Sequence, residues 1–539
     1  MRITLIFIFS LLLINLQAQQ RLLVNTDKGF YSSGEKIGVT VQRNSGGENE
    51  IIYLELLDKN SKLLQRITTR SDGRLASAVF DIPLEWKSDW YLLRAFNLWV
   101  PSMEIKDMGI SVLPIYSEFD ESPANMEAIE ADMTKLGYDF QIRDTEQVYT
   151  QGDEVKIRVE NEENDPNIRW QVSVLDQQSF DIMGGLSSLI PQVYTSPIER
   201  KTEEGEAQKS LLYVGFVGKA GDFNPNALAA IYIAEKLDFR WLSMGEGQVF
   251  GLSMEDFDGQ MNAQILSIEA FGGIDYPGVE MISPSASFEK KEYNFPALPY
   301  PPQIVSYLDN ARKRRMISDI FNQSQPQEVE KDLRPEDLAF TKADKSYSPE
   351  DYIRFNDTRD FINEVATFMR IQKDDKGESF RVMMERNTLA SSPPAMFLNG
   401  YMFTDPQELI ELKLDDIERI DIYRKERTIL KQFRTLGRNG VIAVYTKNPK
   451  TKPNSGTQTK LQGFQENDHK IEPASFSSGP RLASRLLWDV RPTQNDKGDL
   501  ECSFKLSDDQ GDYVILINKF TEKEGFQSSR VLNIKAKRP

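Results

Sequence analysis

A single histidine, His469, and a single cysteine, Cys502, are all that this chain offers toward imidazole or thiol chemistry. A Ser-His-Asp relay or a Cys-His pair needs its imidazole held inside a folded core. His469 instead lies in Pro449–Gly479, a stretch poor in apolar residues and rich in Ser, Thr, Lys, Gln and Pro that reads as a flexible linker. Zinc sites built on His and Cys are equally out of reach. Gly215, Gly218 and Gly221 sit in a β context with the wrong spacing for a dinucleotide fingerprint, and no Walker loop appears. The acidic run Glu203-Glu204-Gly205-Glu206 lacks the Asp-x-Asp-x-Asp spacing of a calcium loop and reads as a solvated linker. Glycoside hydrolysis by paired carboxylates stays open, because 82 Asp and Glu make such pairs unavoidable, yet no pair is singled out. The expectation is no catalytic residue, no cofactor and no metal.

The elements around these residues are mostly β. Met1–Ala18 has the form of a cleaved signal peptide: Arg2, an apolar core from Ile3 to Ile14, and Leu16-Gln17-Ala18 before the cut. No cysteine follows it, so lipid attachment is not expected. The mature chain should be periplasmic, at most peripheral to a membrane. A net charge of −17 argues against nucleic acid as a partner. With one cysteine no intramolecular disulfide can form, and stability must come from cores.

From residue 19 to 115, short apolar strands alternate with turn residues, including Leu22–Val24, Gly38–Gln42, Ile51–Leu57 and the aromatic Trp90–Trp99. This pattern predicts a β-sandwich. TDKGFYSSGEKI at 26–37 and WYLLRAFNLWVPS at 90–102 resemble the second macroglobulin domain of alpha-macroglobulins, in the form that gram-negative cell-envelope proteins carry. A second such module is expected over 116–200, where Tyr149-Thr-Gln-Gly-Asp-Glu-Val155 repeats the logic of Tyr31-Ser-Ser-Gly-Glu-Lys-Ile37. The alpha-macroglobulin thioester needs a Cys-Gly-Glu-Gln setting, and Cys502 is followed by Ser503-Phe504, so that chemistry is missing. A third sandwich is expected over 205–285.

Residues 286–346 read as a linker with a helix at Gln303–Phe321. Its Pro- and aromatic-rich part, to Pro302, is either extended or docked in an aromatic groove. The basic cluster Arg312–Arg315 reads as a solvated helix face. Residues 347–448 combine a helix capped by Ser348, a strand at Phe380–Met384, and apolar Met396-Phe397-Leu398 before Asn399-Gly400 and Tyr401-Met402-Phe403. Asn-Gly in that place predicts a tight hairpin. A short helix after Asp405-Pro406 and strands at Ile417–Ile422 and Gly440–Thr446 follow. FLNG at 397–400, DIERIDIYR at 416–424 and LGRNGVIAVYTK at 436–447 resemble the plug domain of TonB-dependent outer-membrane receptors. Such a receptor needs a long run of barrel strands after its plug. After residue 450 only 539 − 450 = 89 residues remain, about enough for the smallest barrel, and they lack its alternation. Residues 449–479 are then a flexible linker and 480–539 a C-terminal sandwich-like domain, with Cys502 as a small buried residue.

The expected fold is multidomain and mainly β: serial macroglobulin- or immunoglobulin-like β-sandwiches plus one α+β plug-like domain. The resemblance implies a non-catalytic scaffold or partner of an outer-membrane assembly, binding a β-barrel protein or envelope complex. Asn399, Gly400, Tyr401, Arg438, Asn439 and Gly440 are the expected partner-binding positions. A macroglobulin-type defence protein that binds foreign protein, or a carboxylate-based polysaccharide hydrolase, are the alternatives.

Overall fold

A computed structural model describes residues 22–120, 142–193, 206–322 and 340–537, apart from 44–48, 74, 101, 103, 144–147, 162–167, 218–226, 246–247, 270–273, 276–278, 283–291, 353–354, 375–376, 457, 466–468, 474–479, 510 and 522–524. The signal peptide and most of the Glu203–Glu206 run lie outside the described residues. The chain is mainly β and divides into two compact units. The first takes residues 1–210, 287–326 and 464–539; the second takes 211–286 and 327–463. The second unit is therefore inserted in the first along the chain as two segments, with 287–326 between them.

Two sandwiches make the first unit. In one, Leu22–Thr26, Lys36–Arg43 and Leu75–Asp81 form a three-stranded sheet. It faces a larger sheet in which Ile105–Tyr116, Asp89–Val100, Ile51–Asp58 and Leu63–Arg70 are neighbours in that order. Side chains alternate across a strand, so every second residue points inward. Ile37, Val39 and Val41 meet Ile52, Leu54 and Leu56, and Tyr91, Leu93 and Ala95, in one core. This is the sandwich expected over 19–115.

The second sandwich departs from the expected boundaries. Glu154–Val159 pairs with Leu500–Lys505 along its whole length, Val155 opposite Phe504 and Ile157 opposite Cys502. Arg169–Asp176 lies between Arg485–Asp489 and Gly511–Thr521. Val155, Ile157, Val159, Trp170, Val172 and Val174 share a core with Leu487, Leu500, Phe504, Tyr513, Ile515 and Ile517. The modules expected separately at 116–200 and 480–539 are thus two halves of one domain. Neither half alone carries enough strands to cover its apolar face, and pairing across more than 300 residues of sequence leaves no local signal. Cys502 is packed against that core, half-buried, and burial pushes its thiol up to about 12.

The helix Pro302–Asn322 matches its expected span. It packs beside the helix Gln177–Leu186, which the sequence reading missed, through Ile304, Tyr307, Leu308, Ile182 and Leu186. Its basic cluster is not simply solvated: Arg314 bridges Asp176 and Asp509 of the second sandwich, while Arg312 and Arg315 pair with Glu118 of the first. The Pro-rich stretch before it takes the docked form. Tyr293 stacks on Phe295, Trp90 Nε1 donates to Pro296 O at 2.8 Å, and Tyr116 Oη donates to Pro299 O at 2.8 Å.

In the second unit a mixed sheet runs Lys345–Tyr347, Ile417–Tyr423, Val441–Thr446, Ala395–Leu398, Tyr401–Phe403. Both faces are covered. Ile442 and Val444 face Phe361, Ile362, Leu409 and Phe380. Val441, Ala443 and Tyr445 face Ala230, Tyr232, Leu266 and Ile268, together with Phe340 and Phe433. Burial on both faces explains why the central strand reads as an unbroken apolar run. It also joins the stretch expected as a third sandwich, 205–285, to 347–448 in one core. Tyr232 Oη donates to Gly400 O at 2.6 Å, and Gln264 exchanges two hydrogen bonds with the Met402 backbone. Ser348 precedes only a 3-10 turn, Pro349–Asp351, and its side chain makes no cap bond; Asp357 caps the helix Thr358–Glu364, accepting from Asp360 N.

The stretch 449–479 is not all linker. Gln458–Gln462 pairs with Gln260–Ile268 in the second unit. In the first, Lys470–Ile471 pairs with Arg485–Asp489. Gln465 hydrogen-bonds both backbone groups of Val79. Three buried anchors, Leu461, Phe464 and Ile471, suffice because edge pairing is carried by backbone groups.

Two outcomes test this interleaving. A chain stopped after residue 479 should lose the second sandwich, seen as loss of one cooperative unfolding transition and rapid proteolysis after residue 142; survival of both would contradict the pairing. Trp488 is fully buried against Val79, Ile471 and Val490, so Trp488→Ala should cost about 3–5 kcal/mol in denaturant unfolding.

Candidate functional site

The densest polar chemistry of the first unit is closed. Lys28 is 1% exposed, and its Nζ donates to Glu35 Oε2 at 2.7 Å and Tyr307 Oη at 3.0 Å. The Phe30, Tyr31 and Tyr307 rings lie 5.6, 5.1 and 5.4 Å from that ammonium. Glu35 also accepts from Ser32 N at 2.9 Å and Tyr307 Oη at 2.5 Å. Asp27 accepts from Tyr31 Oη at 2.6 Å, from Gly38 N at 2.7 Å, and from Arg485. Burial alone would lower the Lys28 pKa, but Glu35 and then Tyr307 more than reverse it, so the ammonium is held above the ordinary lysine value. Burial opposes the Glu35 charge too, and Lys28 and the hydrogen bonds prevail, holding the carboxyl below its ordinary range. Burial, with Glu35 beside it, pushes Tyr307 up to about 12.

A cleft of about 440 Å³ opens beside this network, lined by Glu35, Glu118, Arg314, Arg315, Ser484 and Glu472 among others. Two of its carboxylates are already engaged. A general acid needs a raised carboxyl pKa, and Glu35 has a lowered one. Glu118 is occupied by Arg312 and Arg315. Among the described residues no group of three or more His, Cys, Asp or Glu side chains is placed to hold a metal ion.

The expected partner-binding positions all lie in the second unit, and they divide sharply. Asn399 and Gly400 take positive φ of 46° and 84°, as a primed hairpin turn requires. The Asn399 side chain turns inward: its amide donates to Thr446 Oγ1 at 2.7 Å and Thr451 O at 2.9 Å, and its carbonyl accepts from Thr446 N at 2.9 Å. Gly400 O is taken by Tyr232. Tyr401 is buried, with the Lys452 ammonium 4.8 Å from its ring. Asn439 is buried, and Gly440 holds φ 85° where a Cβ would meet Val382 Cβ at 2.7 Å. These five shape the fold. Arg438 alone is exposed.

Arg438 stands at a cleft of about 540 Å³ that the sequence reading did not identify. The cleft is lined by Met384, Glu385, Arg386 and Thr388, and by Arg424, Glu426, Ile429, Leu430, Arg434, Thr435 and Arg438. The helix Glu426–Gln432 supplies the apolar part, with Leu430 59% exposed. Arg424 is fixed in place: it donates to Met383 O at 2.7 Å and Met384 O at 2.6 Å, and lies 4.3 Å over the Phe368 ring. Arg434 is exposed and holds φ 48°, a conformation costing a non-glycine residue roughly 1–3 kcal/mol. Spaced singly through 386–438, the four arginines gave no cluster to notice; the sheet and its two crossovers bring them together.

The Lys28–Glu35 pair sets a stability expectation. Glu35 contributes fully above the ordinary carboxylate range and loses its contribution as pH falls through its lowered folded value; Lys28 contributes below the ordinary lysine value and loses it only in strong alkali. Thermal midpoints of the full chain should therefore fall on acidification below about pH 4. Lys28→Met, which strands Glu35, should cost about 3–5 kcal/mol at neutral pH and flatten that acid dependence. An unchanged profile would contradict the pairing.

No protein-family model matches the chain, and no curated protein matches its sequence. Among solved structures it is similar to Escherichia coli alpha-2-macroglobulin activated by porcine elastase, at 10% identity and a TM-score of 0.24, over 96% of this chain and 44% of that one. The native conformation of E. coli alpha-2-macroglobulin gives 8% identity and a TM-score of 0.24, over 97% and 40%. Salmonella alpha-2-macroglobulin reacted with methylamine gives 8% and 0.23, over 97% and 40%. The chain thus spans less than half the length of these proteins, and TM-scores of this size carry no argument about shared activity or partners.

Proposed function

We propose that this chain is a non-catalytic periplasmic protein, exported by a cleaved signal peptide, in which macroglobulin-like β-sandwiches carry a domain resembling the plug of an outer-membrane receptor. It acts as a scaffold or partner of an outer-membrane assembly and binds a β-barrel protein or envelope complex supplied by other chains. One observation carries this reading. Every described strand after Thr446 pairs within the two units: Gln458–Gln462 with Gln260–Ile268, and those from Lys470 to Lys537 within the second sandwich. The described strands after this sheet are thus committed to the two units, which supports a partner from another chain as what its surface binds. The fixed internal bonds of Asn399 and the packing at Gly440 make that surface a rigid one, which limits the entropy lost on binding.

The second reading is a macroglobulin-type protein that binds foreign protein, a trap sprung by cleavage of a bait segment. A bait must be open to proteases, and Tyr293–Pro301, in the Pro-rich stretch that could serve as one, is packed on the first sandwich through Trp90 and Tyr116.

Affinity purification of the tagged full chain from crosslinked cell envelopes tests the proposal. Enrichment of an outer-membrane β-barrel protein or its complex is expected. Recovery of no envelope protein above an untagged control would overturn it.

A further inference from the structure

We infer that the arginine-lined cleft of the second unit is a docking site for an acidic peptide segment of a partner protein that carries apolar side chains between its carboxylates. This rests on the reading of the chain as a partner-binding protein and gives that partner its chemistry. Four guanidinium groups, of Arg386, Arg424, Arg434 and Arg438, and two carboxylates, of Glu385 and Glu426, line the cleft. That local excess is positive in a chain whose net charge is −17, so a like-charged surface elsewhere repels what the cleft attracts. Among the described residues no ion pair engages Arg386 or Arg434, and both are exposed. Arg424 is spent on the Met383 and Met384 carbonyls and forms the wall.

The occupant is a peptide, not a lone anion, for two reasons. The cleft, at about 540 Å³, has the size of sites that enclose extended organic ligands. Its guanidiniums share the lining with Ile429, Leu430 and Met384, and Leu430 is 59% exposed; a phosphate has no use for that apolar surface. Arg434 adds an independent sign. Glycine would hold its φ of 48° without strain, so an arginine there trades stability for a guanidinium, as binding sites do.

Fluorescence anisotropy with the full chain tests this, using labelled peptides of alternating Glu and Leu, Lys and Leu, and Glu and Ser. The Glu-Leu peptide should bind, and weaken as salt rises. The Lys-Leu peptide should not bind, and the Glu-Ser peptide should bind less tightly. Arg434→Gly should keep or raise the thermal midpoint yet weaken Glu-Leu binding several-fold, and adding Arg438→Glu should bring the loss to about tenfold or more. Equal binding of the Glu-Leu and Lys-Leu peptides, unchanged affinity in the variants, or displacement by inorganic phosphate at equal concentration would overturn the inference. So would capture of a barrel protein that persists in variants unable to bind the peptide; that result would leave the proposed function standing. Peptide binding without any barrel capture would do the reverse, keeping the cleft and removing the barrel partner.

Discussion

One buried ion pair organises the first unit. Lys28 and Glu35 come from the turn between the first two long strands, and they can remain charged inside the protein only while Tyr307 and Ser32 complete their coordination. Removing either charge strands the other in a low-dielectric site, which is far costlier than never having buried the pair. Tyr307 belongs to the helix Pro302–Asn322, and Arg485, which closes the adjoining Asp27 cluster, belongs to the second sandwich. A connection of nine residues, 27–35, therefore specifies where a helix nearly 300 residues later and a strand later still must sit. The arginines of that helix, paired to Asp176, Asp509 and Glu118, extend the same constraint outward.

That constraint bears on function through chain order. The first unit is completed by strands that follow the second unit in sequence, so the second unit is tethered at both ends by a folded domain. Within it, the mixed sheet is covered on both faces, and its hairpin turn is held by Asn399 and Tyr232. What such a domain offers a partner is its rim: loops and helix ends projecting from a frame that cannot yield. The arginine cleft lies on that rim, on the short helix and turn between Ile417–Tyr423 and Val441–Thr446.

Much of this was legible in the sequence where the signal is local. The Asn399-Gly400 hairpin, the strand from Val441, the helix from Pro302 and the first sandwich follow from turn chemistry and periodicity, which act over a few residues. TDKGFYSSGEKI could be recognised as a motif, but its reason, a charged knot closed by Tyr307 and Arg485, could not be read from spacing. The pairing of Glu154–Val159 with Leu500–Lys505 was illegible for the same cause: hydrogen bonds across a sheet leave no trace of partner identity in either strand. The helix Glu426–Gln432, short and mostly polar outside Ile429, fell below any periodic signal. Of the six positions expected to bind, the turn residues are also held in the frame, since the small and amide side chains that mark tight turns also mark points of close packing. Only Arg438 kept a guanidinium at the surface.

Hydrogen exchange read by mass spectrometry on the full chain measures the central claim, that strands far apart in sequence close one domain. Peptides covering Glu154–Val159, Arg169–Asp176 and Leu500–Lys505 should exchange through a single opening event with a common free energy. Exchange of the C-terminal strands at a faster, independent rate would contradict the account.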